Sequence, residues 1–313
     1  MSREQPAVGV LWNKDINLAG DAPFEREVKN ADYRTFTELA SQRGLTIYVA
    51  RLEWYSGSRL RRAWRWEDGW ETVDDVPLDL VVDKFAFTDA TATVKQAIED
   101  DIGTMNRYRL KELCRDKWET YQLFEDYMPE TRQATRENIA AMLEKYDRVV
   151  CKPRYGAGGE GIQVIDDTEE FEPEDDLLVQ RYIELDGIQA LDVDGPHDLR
   201  VAVVDGEVAV SYVRTNDEGQ LANISQGGGE LVYVDREELP EAVHAIVERT
   251  VREFERFQPC LYTVDFVFGP DEQPYLIELN TKPPFGYHRE IQEAERERPL
   301  IDGILDIIEE RTG

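Results

Sequence analysis

One ten-residue segment, Lys152-Pro-Arg-Tyr-Gly-Ala-Gly-Gly-Glu-Gly161, limits the choice of fold more than any other part of the chain. Gly156, Gly158, Gly159 and Gly161 let backbone N–H groups approach an anion, and their spacing contains a formal G-x-G-x-x-G. A dinucleotide-binding fold needs that fingerprint between a strand and a helix. Here Gly161 runs into Ile162-Gln163-Val164-Ile165, which alternates as a strand, and no Gly-Lys-Ser/Thr closes the loop as a P-loop would. What remains is a strand, a glycine loop and a second strand, with Lys152 as a point charge at the entrance. Such a unit is either a phosphate cradle or a plain glycine-rich turn.

The surrounding pattern is mixed α/β. Val8-Gly9-Val10-Leu11-Trp12 reads as a buried strand, residues 24–43 as a helix with Gly44 at its end, and residues 45–49 as a second strand. This order predicts a small parallel sheet. Residues 64–73 alternate about Asp68-Gly69 and predict a hairpin, whose Trp64, Trp66 and Trp70 are edge packing or, alternatively, a ligand wall. Residues 78–87 supply another strand. The pattern turns helical over 106–127 and Pro129 stops it, which sets an expected domain boundary near residue 105. Residues 1–105 then form an N-terminal α/β domain. Residues 106–313 form a second unit, with one lobe over about 130–185 and another over about 186–313. Strands at 149–152, 162–165 and 177–183 belong to the first lobe. Two hairpins, 199–213 about Asp205-Gly206 and 261–279 about the loop 269–274, belong to the second, with a helix near 240–257 between them.

A phosphate site in this chain must work against the chain's own field. The 66 acidic and 36 basic residues leave a formal charge of -30, which argues against nucleic acid as a partner and demands local cations at any ATP site. Acid spread over the whole length, with nine Lys beside 27 Arg, reads as a protein working in high salt; an ordinary acidic cytosolic protein is the alternative. No long apolar run and no leader are read in the sequence, so a cytoplasmic protein without membrane contact is expected. Cys114, Cys151 and Cys260 have neither metal nor disulfide spacing and read as buried fillers, and the three histidines are scattered.

The stronger chemical signal is a pair of carboxylates. If the loop 269–274 closes its hairpin symmetrically, Asp265 faces Glu278, Asn280 shares that face, and Val267 and Leu276 flank them. Two opposed carboxylates about 5 Å apart destabilise a sheet unless a cation lies between them. Oxygen donors without His or Cys select Mg²⁺ or Mn²⁺, and the span suits two ions about 3.5–4 Å apart. An acidic, solvent-facing strand is the alternative. In the other hairpin, Arg200 and Arg214 offer bidentate contacts to phosphate or carboxylate. An ideal ladder about Asp205-Gly206 puts them on opposite faces, with a bulge at the strand end needed to re-aim Arg214.

Taken in order, Asp116-Lys117, Lys152-Pro with its glycine loop, Gln180-Arg-Tyr-Ile-Glu184, Asp198-x-Arg200, Arg214, Asn223 with Gly227-Gly228-Gly229, Asp265 and Glu278-x-Asn280 resemble the ATP-grasp superfamily. The likeness is to the branch containing glutathione synthetase and the enzymes that add glutamate to protein tails, and it covers about residues 106–285. The resemblance implies a Rossmann-like N-terminal domain, a small lid lobe carrying the glycine loop, and a C-terminal antiparallel lobe. It implies Lys117, Lys152 and Asn223 at ATP, backbone of Gln180, Arg181, Tyr182 and Ile183 at adenine, and Glu184 at the ribose. It further implies Asp265, Glu278 and Asn280 at magnesium, Arg200 and Arg214 beside the transferred phosphoryl group, and pairing into a homodimer. The implied activity is an ATP-dependent carboxylate–amine ligase working through an acyl phosphate, on an amino acid or peptide. A nucleotide-binding scaffold without turnover, or a ligase making another product, are its rivals. Pro283-Pro284 departs from the pattern of relatives and bears on substrate choice.

Overall fold

The apolar run near the start of the chain forms β1 (Ala7–Trp12), which has parallel partners on both edges, β2 (Thr46–Arg51) and β5 (Leu80–Asp83). A strand covered on both sides needs a continuous apolar run, and Val8, Val10 and Leu11 are fully buried accordingly. The structure is a computed structural model describing residues 5–13, 15–156, 159–172, 175–185, 187–215, 231–282 and 291–313. Helix α1 (Glu27–Gln42) makes the crossover from β1 to β2 and buries Tyr33, Phe36 and Ala40 against the sheet. The hairpin of β3 (Arg59–Trp66) and β4 (Trp70–Pro77) extends the order to β4-β3-β2-β1-β5. Trp64 is a core residue whose indole N–H donates to the Asn17 carbonyl at 3.1 Å, whereas Trp66 and Trp70 meet edge to face at 5.4 Å on the edge hairpin. The strand expected over 78–87 stops at Asp83, because Thr88 and Thr91 then build the capping box that starts α2 (Asp89–Asp101).

The single helix expected over 106–127 is two, α3 (Tyr108–Arg115) and α4 (Lys117–Phe124), followed by a 3-10 turn, Glu125–Tyr127. Asp116 causes the break. Its carboxylate accepts from the amides of Trp118 and Glu119 at 3.0 and 3.2 Å, an N-cap that restarts the helix on a new axis. Just before α3, the buried Asn106 donates to the carbonyls of Leu261 (2.8 Å) and Thr281 (2.6 Å) and accepts from the Leu261 amide at 2.9 Å, tying this junction to the last sheet.

The next elements, β6 (Thr131–Gln133), α5 (Arg136–Tyr146), β7 (Val149–Pro153), β8 (Gln163–Ile165) and β9 (Leu177–Arg181), form an antiparallel sheet in the order β6-β9-β7-β8. Ile139 and Met142 of α5 pack with Val149, Cys151, Ile165, Phe171 and Val179 as a small separate core. The glycine loop does run from strand to strand, as the alternation of residues 162–165 predicts.

Two short strands, β10 (Gly187–Ile188) and β11 (Val193–Asp194), lead to the last sheet. It contains β12 (His197–Val204), β13 (Glu207–Thr215), β14 (Leu231–Val234), β15 (Leu261–Phe268) and β16 (Pro274–Asn280) in the antiparallel order β14-β13-β12-β15-β16. Helix α6 (Glu241–Phe254) precedes β15 and α7 (Ile291–Thr312) ends the chain. Period-two alternation sorts the central strand. Leu199, Val201 and Val203 join α3 and α6 in one core, whereas Ala202 and Val204 join α7 and the N-terminal sheet in another. Toward the start of β12 that second face is carried on by Arg200 and Asp198. Cys114, Cys151 and Cys260 are free and buried. Among the described residues no helix is long and apolar enough to cross a membrane.

Candidate active site

Two β-bulges aim the charged side chains of the last sheet. On β15 and β16, Asp265 pairs with Glu278 as expected and Asn280 with Thr263, although the loop does not close symmetrically: Phe268 pairs with Pro274. Toward the turn the register slips, so that Phe266 pairs with Leu276 and Ile277 is the extra residue. This corrects the expected flank of Val267 and Leu276: Leu276 lies fully buried in the α6 core with Phe266, and Val267 pairs with Tyr275.

On β12 and β13 the ladder slips between Ala202 and Val203, with Ala209 as the extra residue. Arg200 therefore faces Tyr212 and Asp198 faces Arg214, which puts both arginines on one face and corrects the ideal-ladder expectation. The bulge lies near the Asp205-Gly206 turn rather than at the far strand end. Because β15 runs along the other side of β12 with Asp265 paired to Arg200, the four charged side chains meet. Arg200 clasps Asp265 through Nε (2.7 Å) and a terminal nitrogen (2.5 Å). Arg214 clasps Asp198 in the same way, with Nε at 2.6 Å, and stands 3.6 Å from Asp265. Asn280 donates to Asp265 at 3.4 Å. Burial pushes the Asp265 carboxyl up, but the charge and hydrogen bonds of Arg200, and then Arg214, hold it below the usual carboxylate range. Asp198 goes the other way: burial pushes it up against the pull of Arg214, and the nearby Asp265 adds to the rise.

Facing this cluster are two lysines. Lys117, the first residue of α4, donates to the Gly156 carbonyl at 2.7 Å and lies 3.7 Å from Glu278. Lys152 is buried in β7 and donates to Gln180 Oε1 at 2.9 Å, and the Gln180 amide donates to Thr131 at 2.8 Å. Burial first and the Lys117 charge second bring the Lys152 ammonium down to about 8, with Glu278 pulling the other way. Gly156, Gly159 and Gly161 all have positive φ, and a side chain at Gly161 would stand 2.9 Å from the Pro153 ring. Gly158 and Asn223, with the glycines at 227–229, lie outside the described residues.

Beyond Gln180, the Arg181 guanidinium sits 5.2 Å from the Tyr146 ring and reaches the Tyr275 hydroxyl at 3.4 Å. Arg148 lies over the Tyr182 ring at 4.5 Å and pairs with the exposed Glu184 at 3.1 Å, while Ile183 is nearly buried. Arg154 is a residue that the sequence reading passed over. It clasps Asp116 at 2.7 and 2.5 Å, and its carbonyl accepts from the Lys117 amide at 3.2 Å, so it fixes the start of α4 against the end of β7. The available signal was an N-cap Asp next to a lysine, which leaves one carboxylate oxygen free for a cation.

The donor set suits a hard divalent cation: two carboxylates directly opposed, an amide beside them, and no His or Cys. Arg200 and Lys117 stand against the same two carboxylates.

The sequence model of the ATP-grasp domain matches residues 114–284, more than half of the chain. The chain belongs to the ATP-grasp family. It is an ATP-dependent ligase, with the mixed α/β ATP-grasp fold. No curated protein matches it in sequence. Among solved structures it is similar to a D-cycloserine synthetase, with TM-score 0.64 and 14% identity over 98% of this chain and 100% of that one. It is similar also to D-alanyl-alanine synthetase A from Vibrio cholerae, with TM-score 0.62 and 15% identity over 97% and 99%. A Chryseobacterium gregarium ATP-grasp ligase, solved with ADP and a leader and core peptide, gives TM-score 0.61 and 14% identity over 97% of each chain. At these identities the likeness establishes the shared ATP-grasp fold.

Proposed function

We propose that this ATP-grasp ligase joins a carboxylate to an amine through an acyl phosphate, using Mg-ATP, with an amino acid or peptide among its substrates. The observation that carries the reading is the convergence of Asp265, Glu278, Asn280, Arg200 and Arg214 from one sheet face with Lys117 and Lys152 across the cleft. Solved relatives named for joining alanines, or bound to a peptide, support the substrate class.

In this reading Lys117 and Lys152 hold the phosphates, with the Gly156–Gly161 loop closing over them and Asn223 adding a further contact. The strand end 180–183 meets the base and Glu184 the ribose. Asp265, Glu278 and Asn280 would hold Mg²⁺ or Mn²⁺, two ions in all, which would supply charge neutralisation for the phosphoryl transfer. A substrate carboxylate oxygen attacks the γ-phosphorus as the bond to the bridging β–γ oxygen breaks, releasing ADP. The amine then attacks the acyl carbon, inorganic phosphate leaves, and the amine proton passes to solvent. Phosphoryl transfer asks little covalent help of the protein, so Arg200 and Arg214 act by position and charge. Arg200 would share Asp265 with a bound cation.

Residues 1–105 serve in this reading as the substrate-facing α/β domain and residues 106–313 as the ATP-grasp unit, with its lid over about 130–185 and its metal and phosphate lobe over about 186–313. The enzyme works in the cytoplasm as a homodimer. Asp265→Ala and Glu278→Ala should each lower ADP release, with Mg-ATP and a mixed pool of amino acids and dipeptides, by about 10³-fold while the melting curve stays cooperative. Retained turnover in either variant would remove the metal assignment.

A further inference from the structure

The hairpin that carries the candidate metal ligands has one weak end. A turn closes β15 and β16 on one side, but on the other the strands part after Thr263 and Asn280, their last pair in register. Asn280 is thus the final residue of its strand, and its amide reaches Asp265 at 3.4 Å. Asp265 is held differently: it lies inside the sheet, paired to Arg200 of β12 on one side and to Glu278 on the other. Strand ends fray unless their free backbone groups find partners. Of the three oxygen-bearing side chains, Asn280 is the one whose place depends on what lies beyond the strand.

What lies there is the buried Asn106, which stands 155 positions before Leu261 in the chain. Its Nδ2 donates to the Leu261 carbonyl at 2.8 Å, and its Oδ1 accepts from the Leu261 amide at 2.9 Å. An antiparallel partner residue makes this same two-way exchange, and the ladder's period of two would give it to Lys282 if β16 continued. The side chain stands in for the next rung. Nδ2 also donates to the carbonyl of Thr281, the residue after Asn280, at 2.6 Å, so one amide ties both strand ends. One more ordinary ladder pair would satisfy Leu261 equally well. What Asn106 adds is a position fixed from outside the hairpin.

That position is set by the N-terminal sheet. Residues 103–105 run along β5, with the Val81 amide donating to the Gly103 carbonyl (3.2 Å) and the Met105 amide to the Val81 carbonyl (3.0 Å). The Thr104 hydroxyl lies 2.6 Å from the Asn106 carbonyl and accepts from Lys111 at 2.9 Å, and Lys111 pairs with Asp83 at 2.6 Å. Thr104, Lys111 and Asp83 are buried too, so this chain of polar contacts runs through the interior from the end of β5 to the end of β16. Moving Asn106 would leave buried carbonyls without partners, which is costly.

We propose that Asn106 is a positioning residue for the metal: it fixes the Thr281 carbonyl, and through the adjoining backbone holds Asn280 where it completes the ligand set with Asp265 and Glu278. The inference rests on the metal assignment made under the proposed function, and adds that the third ligand is placed by the N-terminal half of the chain.

Mn²⁺ binding to the full chain with ADP, read by electron paramagnetic resonance, tests this. Asn106→Ala should weaken Mn²⁺ about tenfold, as losing a group that orients a metal ligand does, and raise the Mg²⁺ concentration for half-maximal ADP release by a similar factor. The maximal rate at saturating Mg²⁺ should change far less. ADP binding without metal should be the same as in the parent, because Lys117 and Lys152 are held by other contacts. In an Asn280→Ala background, Asn106→Ala should add little to the loss of Mn²⁺ affinity, since it acts through that residue. Asn106→Asp keeps the volume and the acceptor for the Leu261 amide but loses the NH₂ group; it should show the same shift, and it carries the test if the alanine variant folds poorly. Parental Mn²⁺ affinity in a folded Asn106 variant, or an equal loss with and without Asn280, would overturn the proposal. A parent that binds no Mn²⁺ with ADP would instead remove the metal assignment, and this inference with it.

Discussion

Lys152 shows how one buried charge can be set for a ligand. Its hydrogen-bond partner among the described residues is neutral, Gln180, and burial together with Lys117 brings it down to about 8. A polyphosphate beside it favours the charged form, so Mg-ATP binding should raise its pKa and draw in a proton. At pH 8.5, calorimetry in buffers of different ionisation enthalpy should detect proton uptake of a few tenths per ATP, roughly as expected for a group titrating near 8. Affinity should fall as the pH rises above about 8. Lys152→Met should abolish the uptake; uptake of equal size in that variant would place the titrating group elsewhere. Arg200 makes a complementary case, because its fork matches Asp265 at two points. Arg200→Lys keeps the charge but loses the fork, and should cost roughly 10²-fold in kcat, nearly as much as Arg200→Ala. Full activity in the lysine variant would show that charge alone suffices there.

At the scale of elements, the two bulges decide which residues share a face. The extra residue Ala209 lies between the Asp205-Gly206 turn and the Asp198–Arg214 pair, which stands beside Asp265. Removing it should let the ladder close evenly from the Asp205-Gly206 turn with Ala202 still opposite Val210 and Arg214 still opposite Asp198, so ADP release should be retained. Loss of ADP release in the Ala209 deletion would show that the local twist of the bulge, and not the register alone, aims the arginine. Asp205 and Gly206 both have positive φ, as a tight hairpin turn demands, which is why that turn was legible from turn chemistry; the expected Asp265–Glu278 pair holds because the extra residue Ile277 offsets a loop one residue shorter than read. The bulges were not, because inserting one residue changes no local pattern and is favoured only by burial of Leu276 and the pairing of Asp198 with Arg214. The break at Asp116 was missed for a related reason. The apolar periodicity runs through it, and only the N-cap and the Arg154 clasp turn the chain.

For the whole molecule, a charge of -30 leaves repulsion that salt should relieve, since the screening length falls from about 10 Å at 0.1 M to about 3 Å at 1 M. The melting temperature should rise by roughly 5–10 °C between 0.1 and 2 M KCl, a shift of a few kcal/mol for a chain of this size. A flat response would mark the chain as merely acidic. The N-terminal sheet, the β12 face carrying Ala202 and Val204, and α7 share one core, so these parts should melt together rather than as separate steps. The sequence by itself determined the buried parallel strand, the strand-loop-strand of the glycine segment, the two hairpins, and the ordered motifs that mark the ATP-grasp family. These depend on local periodicity, on φ at glycines, and on pairing distance from a turn. Only the tertiary structure decided that Arg200 and Arg214 share a face, that Arg154 holds Asp116, and that Asn106 bonds Leu261 and Thr281, 155 and 175 positions along the chain. Those facts follow from bulges and from the packing of distant strands, where the energy that selects an arrangement comes from residues far along the chain.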